Sequence, residues 1–153
     1  KGEIIIFNNG EEVKIWNVKD AMGYNLLSKS GLNIKTAWIT GRKSLQVEAR
    51  AKDIKIDYLV QDCNYKLKAL NDILKTLGLT LNEVAYIGDD IIDIPVLKSV
   101  GFSACPRDAV KDVKSNALYV SPLDGGKGVL RDVIEIMMKS QSVWDKILDK
   151  FLC

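Results

Sequence analysis

The stretch Thr40-Gly41-Arg42 follows an apolar run and combines three groups that bind anions. Threonine supplies a hydroxyl, glycine lets its backbone N–H approach a ligand closely, and arginine supplies a guanidinium beside the predicted start of a helix. This set suits a phosphate or a carboxylate. A structural interpretation is equally acceptable, in which Thr40 caps the helix and Gly41 makes the turn.

Three carboxylates crowd the sequence AYIGDDIIDIP, where an apolar strand leads into Asp89 and Asp90, and Asp93 follows one helical turn later. Two unit charges about 4 Å apart repel by roughly 1 kcal/mol in water and about 4 kcal/mol near a protein surface. The cluster therefore favours a bound cation, and oxygen ligands without imidazole or thiolate suit Mg²⁺. Helix capping by Asp90 or Asp93 is the alternative, which explains one acid better than three.

Lys66 lies near the start of a predicted helix, where the positive end of the helix dipole disfavours a cation. Such a lysine can neutralise the negative charge that develops on a phosphoryl group during transfer. A solvated surface lysine has the same sequence context, so the position alone does not decide between the two.

Hydrophobic periodicity predicts the strands and helices that carry these residues. From Val18 onward, helical segments alternate with short apolar runs, which is typical of a parallel sheet with crossover helices. In such a sheet, ligands bind beyond the carboxyl ends of the strands. The predicted strands are IKTAWI, IDYLV, VAYI, FSAC and ALYV.

Helical spacing predicts the segments between these strands. Gly31 and Gly78 are expected to end the first and third helices. The final helix is expected to start near Lys127 and to continue into an amphipathic tail over residues 141–153. The other predicted helices are 20–30, 43–53, 65–78, a short one in DIPVLKSVG and a brief one after Asp108, and the apolar side of the tail carries Val143, Ile147, Leu148 and Phe151.

Residues 1–17 predict a β-hairpin. Two β-favouring runs flank Asn8-Asn9-Gly10, whose residues tolerate positive φ. The apolar residues lie on both faces of the hairpin, so at least one face is expected to contact the domain body or another subunit. We favour a subunit contact.

Composition limits the possible classes of protein. With 153 residues, 47% of them apolar, the chain fits one domain with a single core. The 22 basic and 20 acidic residues nearly balance, which gives no global attraction to nucleic acid or to an anionic membrane. No apolar run approaches the ~20 residues of a membrane span. Three cysteines at unrelated spacings fit a reducing cytoplasm, and the absence of histidine excludes imidazole chemistry.

Taken in order, these segments resemble the haloacid dehalogenase superfamily of phosphotransferases. The closest resemblance is to the 3-deoxy-D-manno-octulosonate 8-phosphate phosphatases, small cap-less enzymes of lipopolysaccharide sugar synthesis. It implies a Rossmann-like three-layer α/β sandwich with a parallel central sheet and an N-terminal β-hairpin. GDDIIDIP beside ITGR is a specific combination. The resemblance is carried by NGEEVKIWNVKDAMG, ITGRKS, YKLKAL, VAYIGDDIIDIPVL and GGKGVLRDV, which together cover nearly the whole chain.

The resemblance also implies roles for the residues of the site. Thr40 and the Gly41 amide are implied to bind the transferring phosphoryl group, and Lys66 to stabilise its charge. Asp89 is implied as the Mg²⁺ ligand, supported by Asp90 at the metal site, with Asp93 orienting the loop.

The acidic sugar is implied to face Arg42 and Lys19. The turn Gly125-Gly126 with Lys127 is implied to lie at the mouth of the site. The family is typically tetrameric through its hairpin, and the tail after Ser140 could reach a neighbouring subunit.

One departure from the family concerns the nucleophile. Superfamily members carry a DxD motif after their first strand; its first aspartate attacks phosphorus and its second acts as general acid and base. No DxD occurs in the 153 residues, and KGEIII matches a position past that motif. Either a strand with the motif precedes residue 1, or catalysis is lost and a binding or assembly module remains. We favour the first, because Thr40, Lys66 and the acidic cluster are all present and because a missing central strand would expose two sheet edges.

The resulting hypothesis is a cytoplasmic, Mg²⁺-dependent phosphatase that hydrolyses a 2-keto-3-deoxy sugar-acid phosphate through an aspartyl-phosphate. A receiver-like signalling domain is disfavoured, because its acidic pair belongs near the first strand. A dinucleotide-binding enzyme is disfavoured because GGKG matches neither GxGxxG nor GxxxxGK[ST]. Eight-carbon and nine-carbon substrates remain equally compatible with the sequence.

Overall fold

A computed structural model describes residues 5–152. Residues 1–4 of the predicted hairpin and Cys153, one of the three cysteines, lie outside the described part. Strands and helices alternate from Val18 onward, as the periodicity predicts. The strands are β1 (Ile5–Ile6), β2 (Glu12–Val13), β3 (Ala37–Ile39), β4 (Tyr58–Val60), β5 (Ala85–Ile87), β6 (Phe102–Cys105) and β7 (Tyr119–Val120). The helices are α1 (Val18–Lys29), α2 (Leu45–Asp53), α3 (Lys66–Leu77), α4 (Ile94–Leu97), α5 (Lys111–Lys114), α6 (Val129–Ser140) and α7 (Trp144–Asp149), with 3-10 turns at Leu81–Glu83 and Ile91–Asp93.

The parallel strands form two hydrogen-bonded groups instead of one continuous sheet. β3 pairs with β4, and β5, β6 and β7 pair in that order, all parallel. Within residues 5–152, β3 and β5 therefore each pair along one edge only. Ile39 of β3 and Tyr86 of β5 nevertheless pack against the same cluster of Leu70, Leu74, Val96 and Val100. Both groups of strands thus share one layer of helices.

The strand side chains alternate between two helical layers. Ile39 faces the cluster of α3 and α4, whereas its neighbour Trp38 donates its indole N–H to the hydroxyl of Tyr24 in α1 at 2.6 Å. On that second side, α1, α6 and α7 bury a core of their own. This core consists of Leu26, Leu27, Ile134, Met138 and Ile147. The predicted α/β class, with parallel strands between helical layers, is confirmed.

Local capping explains where the helices begin and end. α1 starts at Val18, two residues before the predicted start, because the Asn17 side chain accepts the N–H of Lys19 at 2.8 Å. Gly31 (φ +79°) and Gly78 (φ +68°) follow α1 and α3 in the left-handed conformation, as predicted. α2 starts at Leu45 with Ser44 as its cap, so the interpretation of Thr40 as the cap of this helix is wrong.

The C-terminal segment is two helices and not one continued helix. α6 begins at Val129 after Gly128 (φ +106°), and Ser142 (φ +55°) separates it from α7. The tail packs on its own chain through Ile147, which is buried between α1 and α6. Lys150 also donates to the backbone oxygen of Lys29 at 2.7 Å. None of the helices in residues 5–152 is both long enough and apolar enough to cross a bilayer.

The hairpin is attached to the body mainly through its second arm. β1 and β2 pair antiparallel around a turn in which Gly10 has φ +83°. The Trp16 ring stacks on Trp38, with centroids 5.6 Å apart, and Gln46 donates to the backbone oxygen of Glu12. In contrast, Ile5, Ile6 and Phe7 are exposed.

Candidate functional site

The Thr40-Gly41 segment leaves the carboxyl end of β3 and is tied to the loop that follows β4. The Thr40 N–H donates to the backbone oxygen of Val60 at 2.9 Å, and the Thr40 oxygen accepts the N–H of Cys63 at 3.1 Å. The Thr40 hydroxyl accepts the N–H of Arg42 at 3.3 Å. A Cβ at Gly41 would lie 3.6 Å from the Cys63 oxygen, an ordinary contact. The fold therefore does not itself demand glycine here, which leaves close approach of a ligand as a reason for it.

Asp93 holds together two of the predicted site segments. Its Oδ1 accepts the ammonium of Lys66 at 2.7 Å and the hydroxyl of Tyr86 at 2.5 Å. Its Oδ2 accepts the backbone N–H groups of Asp89 at 3.1 Å and Asp90 at 3.2 Å. The side chain of Asp93 is 2% exposed and that of Lys66 is 12% exposed, so this ion pair is largely withdrawn from solvent. Four donors on one carboxylate explain why a buried charge is tolerated here.

Gly88 makes this arrangement possible. A Cβ at Gly88 would lie 2.4 Å from the Cβ of Asp93, a distance that no real pair of such atoms adopts. The chain must therefore carry glycine at this point for Asp93 to fold back against its own loop. This requirement belongs to packing, and it places the amides of Asp89 and Asp90 over the Asp93 carboxylate.

The three acids of the cluster differ in their surroundings. Asp90 caps the following 3-10 turn by accepting the N–H of Ile91 at 2.7 Å. Burial would raise the pKa of Asp93, but the hydrogen bonds from Lys66 and Tyr86 and the charge of Lys66 hold it below its ordinary value. The pKa of Asp89 is raised by partial burial and by the carboxylate of Asp93, and Lys66 opposes this rise. The repulsion predicted among three equal acids is therefore partly relieved by Lys66.

Asp89 is the acid of this cluster that best suits a metal ion. Among residues 5–152, no donor forms a hydrogen bond or ion pair with its carboxylate. Asp89 is exposed as a whole residue at the carboxyl end of β5, although its carboxylate is partly withdrawn from solvent. The described residues contain no group of three or more His, Cys, Asp or Glu side chains that could enclose a metal. Magnesium commonly takes only one or two protein carboxylates and completes its shell with water and substrate oxygens. The donor set fits an Mg²⁺ ion bound in that open manner.

Arg42 is paired within the chain. Its guanidinium bonds the carboxylate of Glu12 in β2, which Lys14 also contacts at 3.3 Å. The predicted sugar-binding arginine is thus held against the hairpin, although about half of its side chain is exposed. The hairpin reaches the Thr40-Gly41 segment through this contact.

The turn Gly125-Gly126-Lys127, before α6, contacts the start of α1 through Asn17. The Asn17 side chain donates to the backbone oxygen of Gly126 at 3.2 Å. Lys19, two residues after Asn17, and Lys127, directly after Gly126, are both exposed. The N–H of Gly125 donates to Asp108 at 2.7 Å. Asp108 is followed closely by Val110, whose N–H bonds the backbone oxygen of Asp89 at 3.2 Å.

The structure therefore connects the predicted residues in two sets. Lys66, Asp89, Asp90 and Asp93 share direct hydrogen bonds, and the loop containing Cys63 joins this set to Thr40 and Gly41. Lys19 and the Gly125-Gly126-Lys127 turn form the second set around Asn17. The segment 107–110 lies between the two sets. No contact among residues 5–152 assigns a ligand to any of them, so their individual roles stay predictions.

Sequence reasoning missed two residues whose side chains hold the candidate site's segments or the start of α6 in place. Tyr86 interrupts the otherwise aliphatic strand VAYI, and its hydroxyl is the fourth donor to Asp93. A tyrosine in an apolar strand is the available signal, because its hydroxyl needs a partner when buried. Asp20 accepts the N–H of Arg131 at 3.1 Å and so caps α6 from α1. Burial raises the pKa of Asp20, and N–H groups at the start of α6 oppose this shift.

Comparisons with known proteins give matches over half of the chain or more. The model of the haloacid dehalogenase-like hydrolase family matches residues 55–132. The 3-deoxy-D-manno-octulosonate 8-phosphate phosphatase of Salmonella typhi is 40% identical over 145 residues, which are 95% of this chain and 76% of that protein.

Two solved structures are similar along nearly all of the chain. The 3-deoxy-D-manno-octulosonate 8-phosphate phosphatase of Yersinia pestis is 39% identical with a TM-score of 0.90, covering 94% of this chain and 77% of that one. The corresponding phosphatase of Moraxella catarrhalis, solved with magnesium, phosphate and the KDO molecule, is 35% identical with a TM-score of 0.93. The match covers 98% of this chain and 85% of that one.

Proposed function

We propose that this chain, which belongs to the haloacid dehalogenase-like hydrolases and to their 3-deoxy-D-manno-octulosonate 8-phosphate phosphatase family, hydrolyses that sugar-acid phosphate. Family membership makes it a phosphatase. The substrate is supported by the relatives of that name, and the observation that best supports phosphoryl transfer is the buried Lys66–Asp93 pair, whose second carboxylate oxygen orders the Asp89 loop. This arrangement offers a fixed cation and a free carboxylate at one end of the strands.

The described residues supply positioning and charge for phosphoryl transfer. Lys66, oriented by Asp93, meets the charge on the equatorial phosphoryl oxygens, and Thr40 with the Gly41 amide orients the group. Arg42 and Lys19 face the acidic sugar, with the Gly125-Gly126-Lys127 turn at the mouth. For Arg42 to bind the substrate carboxylate, it must share or exchange its partner Glu12.

Magnesium binding forms part of the proposal. Asp89 holds the ion, and Asp90 supports the metal site from the neighbouring position. When bound, the ion supplies electrostatic neutralisation of the transferring group. Asp93 does not bind it, because both of its oxygens are occupied by protein donors.

The nucleophile of the proposed reaction is the first aspartate of a DxD motif, which these 153 residues do not contain. We propose that it lies on a strand that pairs between β3 and β5. Support comes from these two parallel strands, which each use one edge within residues 5–152 and are only partly buried, unlike β6. Parallel strands are normally covered on both faces and paired on both edges within a sheet. The aspartate would form an aspartyl-phosphate as the sugar leaves, and water would then release phosphate.

Assembly and location complete the proposal. The exposed apolar residues of β1 support a homotetramer formed through the hairpin. The free thiols of Cys63 and Cys105 support a cytoplasmic location.

The test is phosphate release by the full protein, with any segment that precedes residue 1 included. We expect release from 3-deoxy-D-manno-octulosonate 8-phosphate in the presence of Mg²⁺ and its loss with EDTA. A nine-carbon sugar-acid phosphate and a simple aldose phosphate serve as comparison substrates. Faster turnover of the nine-carbon compound would reassign the substrate, and no release from any of them would favour a binding or assembly module.

A further inference from the structure

Tyr86 occupies the middle of β5, directly beneath the Asp89 loop. Its ring packs against the apolar cluster of α3 and α4 and also against the cluster around Leu97 and Val113. Its hydroxyl donates to Oδ1 of Asp93 at 2.5 Å. The ring is therefore fixed by packing, and the hydroxyl stands at a fixed point beside the ion pair.

The two oxygens of the Asp93 carboxylate bind different parts of the site. Oδ1 contacts Lys66 and Tyr86, whereas Oδ2 contacts the N–H groups of Asp89 and Asp90. Rotation of the carboxylate about its Cβ–Cγ bond would disturb the contacts of both oxygens together. Lys66 is a poor restraint on that rotation, because its ammonium ends a flexible four-carbon stem. The Tyr86 hydroxyl is a rigid restraint, since only its O–H bond rotates once the ring is packed.

We infer that Tyr86 is a positioning residue of the phosphatase site. Its hydroxyl sets the orientation of the Asp93 carboxylate, and through it the place of the Lys66 ammonium and of the Asp89 loop. The inference rests on the proposed function of Lys66 and Asp89. Tyr86 itself touches neither the sugar nor the metal in this account.

A purely structural role makes a different prediction. A partly buried tyrosine needs a partner for its hydroxyl, and Asp93 would satisfy it without any effect on reactivity. In that case, loss of the hydroxyl changes stability and leaves turnover and metal affinity alone. Partners that orient a metal ligand or a catalytic group instead change affinity or activity by about 10-fold to 100-fold when removed.

The test is Tyr86→Phe, which keeps the ring and removes the hydroxyl. We expect kcat to fall about 10-fold with KM for the sugar phosphate nearly unchanged. We also expect the Kd of Mg²⁺, measured by calorimetry without substrate, to rise about 10-fold. Tyr119→Phe is the matched control. Tyr119 lies in β7, in the same group of strands as Tyr86, and its hydroxyl bonds Asp132 of α6 at 2.9 Å, outside the site. It should leave kcat and the Kd of Mg²⁺ unchanged.

A double-mutant cycle with Lys66→Ala tells whether Tyr86→Phe lowers kcat through the position of Lys66 or independently of it. If Tyr86 acts through Lys66, Tyr86→Phe should change kcat much less in the Lys66→Ala background. Wild-type kcat and Mg²⁺ affinity in Tyr86→Phe would overturn the inference, as would equal losses in both backgrounds or a variant that cannot fold. An inactive wild-type protein would instead refute the proposed function, and the Mg²⁺ titration would still report on Tyr86.

Discussion

Asp93 holds the segments of the candidate site together, and both of its carboxylate oxygens accept hydrogen bonds from protein donors. It holds Lys66 in a largely buried ion pair and fixes the two amides that precede the 3-10 turn. Breaking such a pair by removing one partner typically costs about 3–5 kcal/mol, because a buried charge is left alone. Variants of Asp93 and of Lys66, including Lys66→Ala in the double-mutant cycle, must therefore be shown by thermal unfolding to be folded at the assay temperature before their activities are compared. Asp89 is the better residue with which to test the proposed metal site.

At Asp89, replacement by alanine should abolish Mg²⁺-dependent phosphatase activity without unfolding the protein. The residue is exposed as a whole and its carboxylate holds no described partner, so the fold loses little. Loss of a metal ligand removes several kcal/mol of charge stabilisation, a fall of about 100-fold or more in kcat/KM. Steady-state kinetics of Asp89→Ala measure the loss of activity, and thermal unfolding checks that stability is retained. Asp72→Ala, which removes an exposed carboxylate from α3, is the control. Unchanged turnover in Asp89→Ala would exclude the ligand role.

Two glycines distinguish ligand approach from packing. In Gly41→Ala, the new methyl group makes only an ordinary contact with Cys63, so the free energy of unfolding should change by less than about 0.5 kcal/mol. If the Gly41 amide binds the phosphoryl group, kcat/KM should fall about 10-fold from crowding at that amide. Chemical denaturation and steady-state kinetics provide the measurements.

Gly88→Ala is the packing counterpart. Its methyl group would overlap Asp93, so we expect a loss of about 1–3 kcal/mol in unfolding free energy together with a loss of activity. If Gly41→Ala lost stability as Gly88→Ala does, or kept full activity, the role assigned to the Gly41 amide would be wrong.

At the scale of elements, the starts of β3 and β4 are joined far from the candidate site. Oδ2 of Asp57 accepts the N–H and the hydroxyl of Thr36, both at 2.9 Å, and Lys35 lies 3.3 Å from Oδ1. Burial alone would raise the pKa of Asp57, but these donors lower it below its ordinary value. The charged carboxylate therefore stabilises the pairing of β3 with β4.

Asp57→Asn should lower the free energy of unfolding by about 1 kcal/mol at neutral pH. Because the pKa of the folded state is depressed, the stabilisation is present above the pKa of the unfolded chain, about 3.9, and is lost as pH falls through the folded value. The difference between wild type and variant should thus shrink below about pH 4. Urea unfolding at several pH values measures it, with Asp72→Asn as the control for a lost surface charge. A difference that grows on acidification would contradict this account.

The sequence predicts the elements better than their connections. The strand runs IKTAWI and VAYI are visible because short apolar segments alternate with helical ones, and Gly78 ends α3 as its left-handed conformation requires. The start of α2 escapes prediction because Thr40 and Ser44 are both acceptable caps, and only the fold of the loop selects Ser44.

The sequence does not predict which distant segments of the chain contact each other in the site. The pairing of Arg42 with Glu12 joins residues 30 positions apart, and that of Lys66 with Asp93 joins residues 27 positions apart. Neither pairing produces a periodic pattern in the sequence from which it could be predicted. The difference among Asp89, Asp90 and Asp93 also depends on such contacts, because three acids in one turn look alike until the donors around each are known.

At the scale of the whole molecule, the first arm of the hairpin presents three consecutive uncovered apolar residues. Ile5, Ile6 and Phe7 are about half exposed, whereas the second arm is held by Trp38 and Gln46. Leaving such a surface in water is unfavourable, so association through it is the expected outcome.

Ile6→Lys should shift the protein from the proposed tetramer toward smaller species, because it places a charge in the proposed contact. Analytical ultracentrifugation at several concentrations measures the change, and circular dichroism checks the fold. Leu118→Lys, at an exposed leucine outside the hairpin, should leave the assembly intact. A wild-type monomer at all concentrations, or an unchanged tetramer in Ile6→Lys, would show that the hairpin does not mediate assembly.

The stack of Trp16 on Trp38 gives the protein a built-in optical reporter. The two indole rings are inclined by only 12°, and Trp38 stands two residues before Thr40. Rings so close should couple excitonically in the near ultraviolet, and separating them should change both that signal and the emission of Trp38. Replacing Trp144, the third tryptophan of the chain, by phenylalanine would remove the background fluorescence. Detachment of the hairpin from the strand that leads into the Thr40-Gly41 segment could then be timed in stopped flow, without an attached dye.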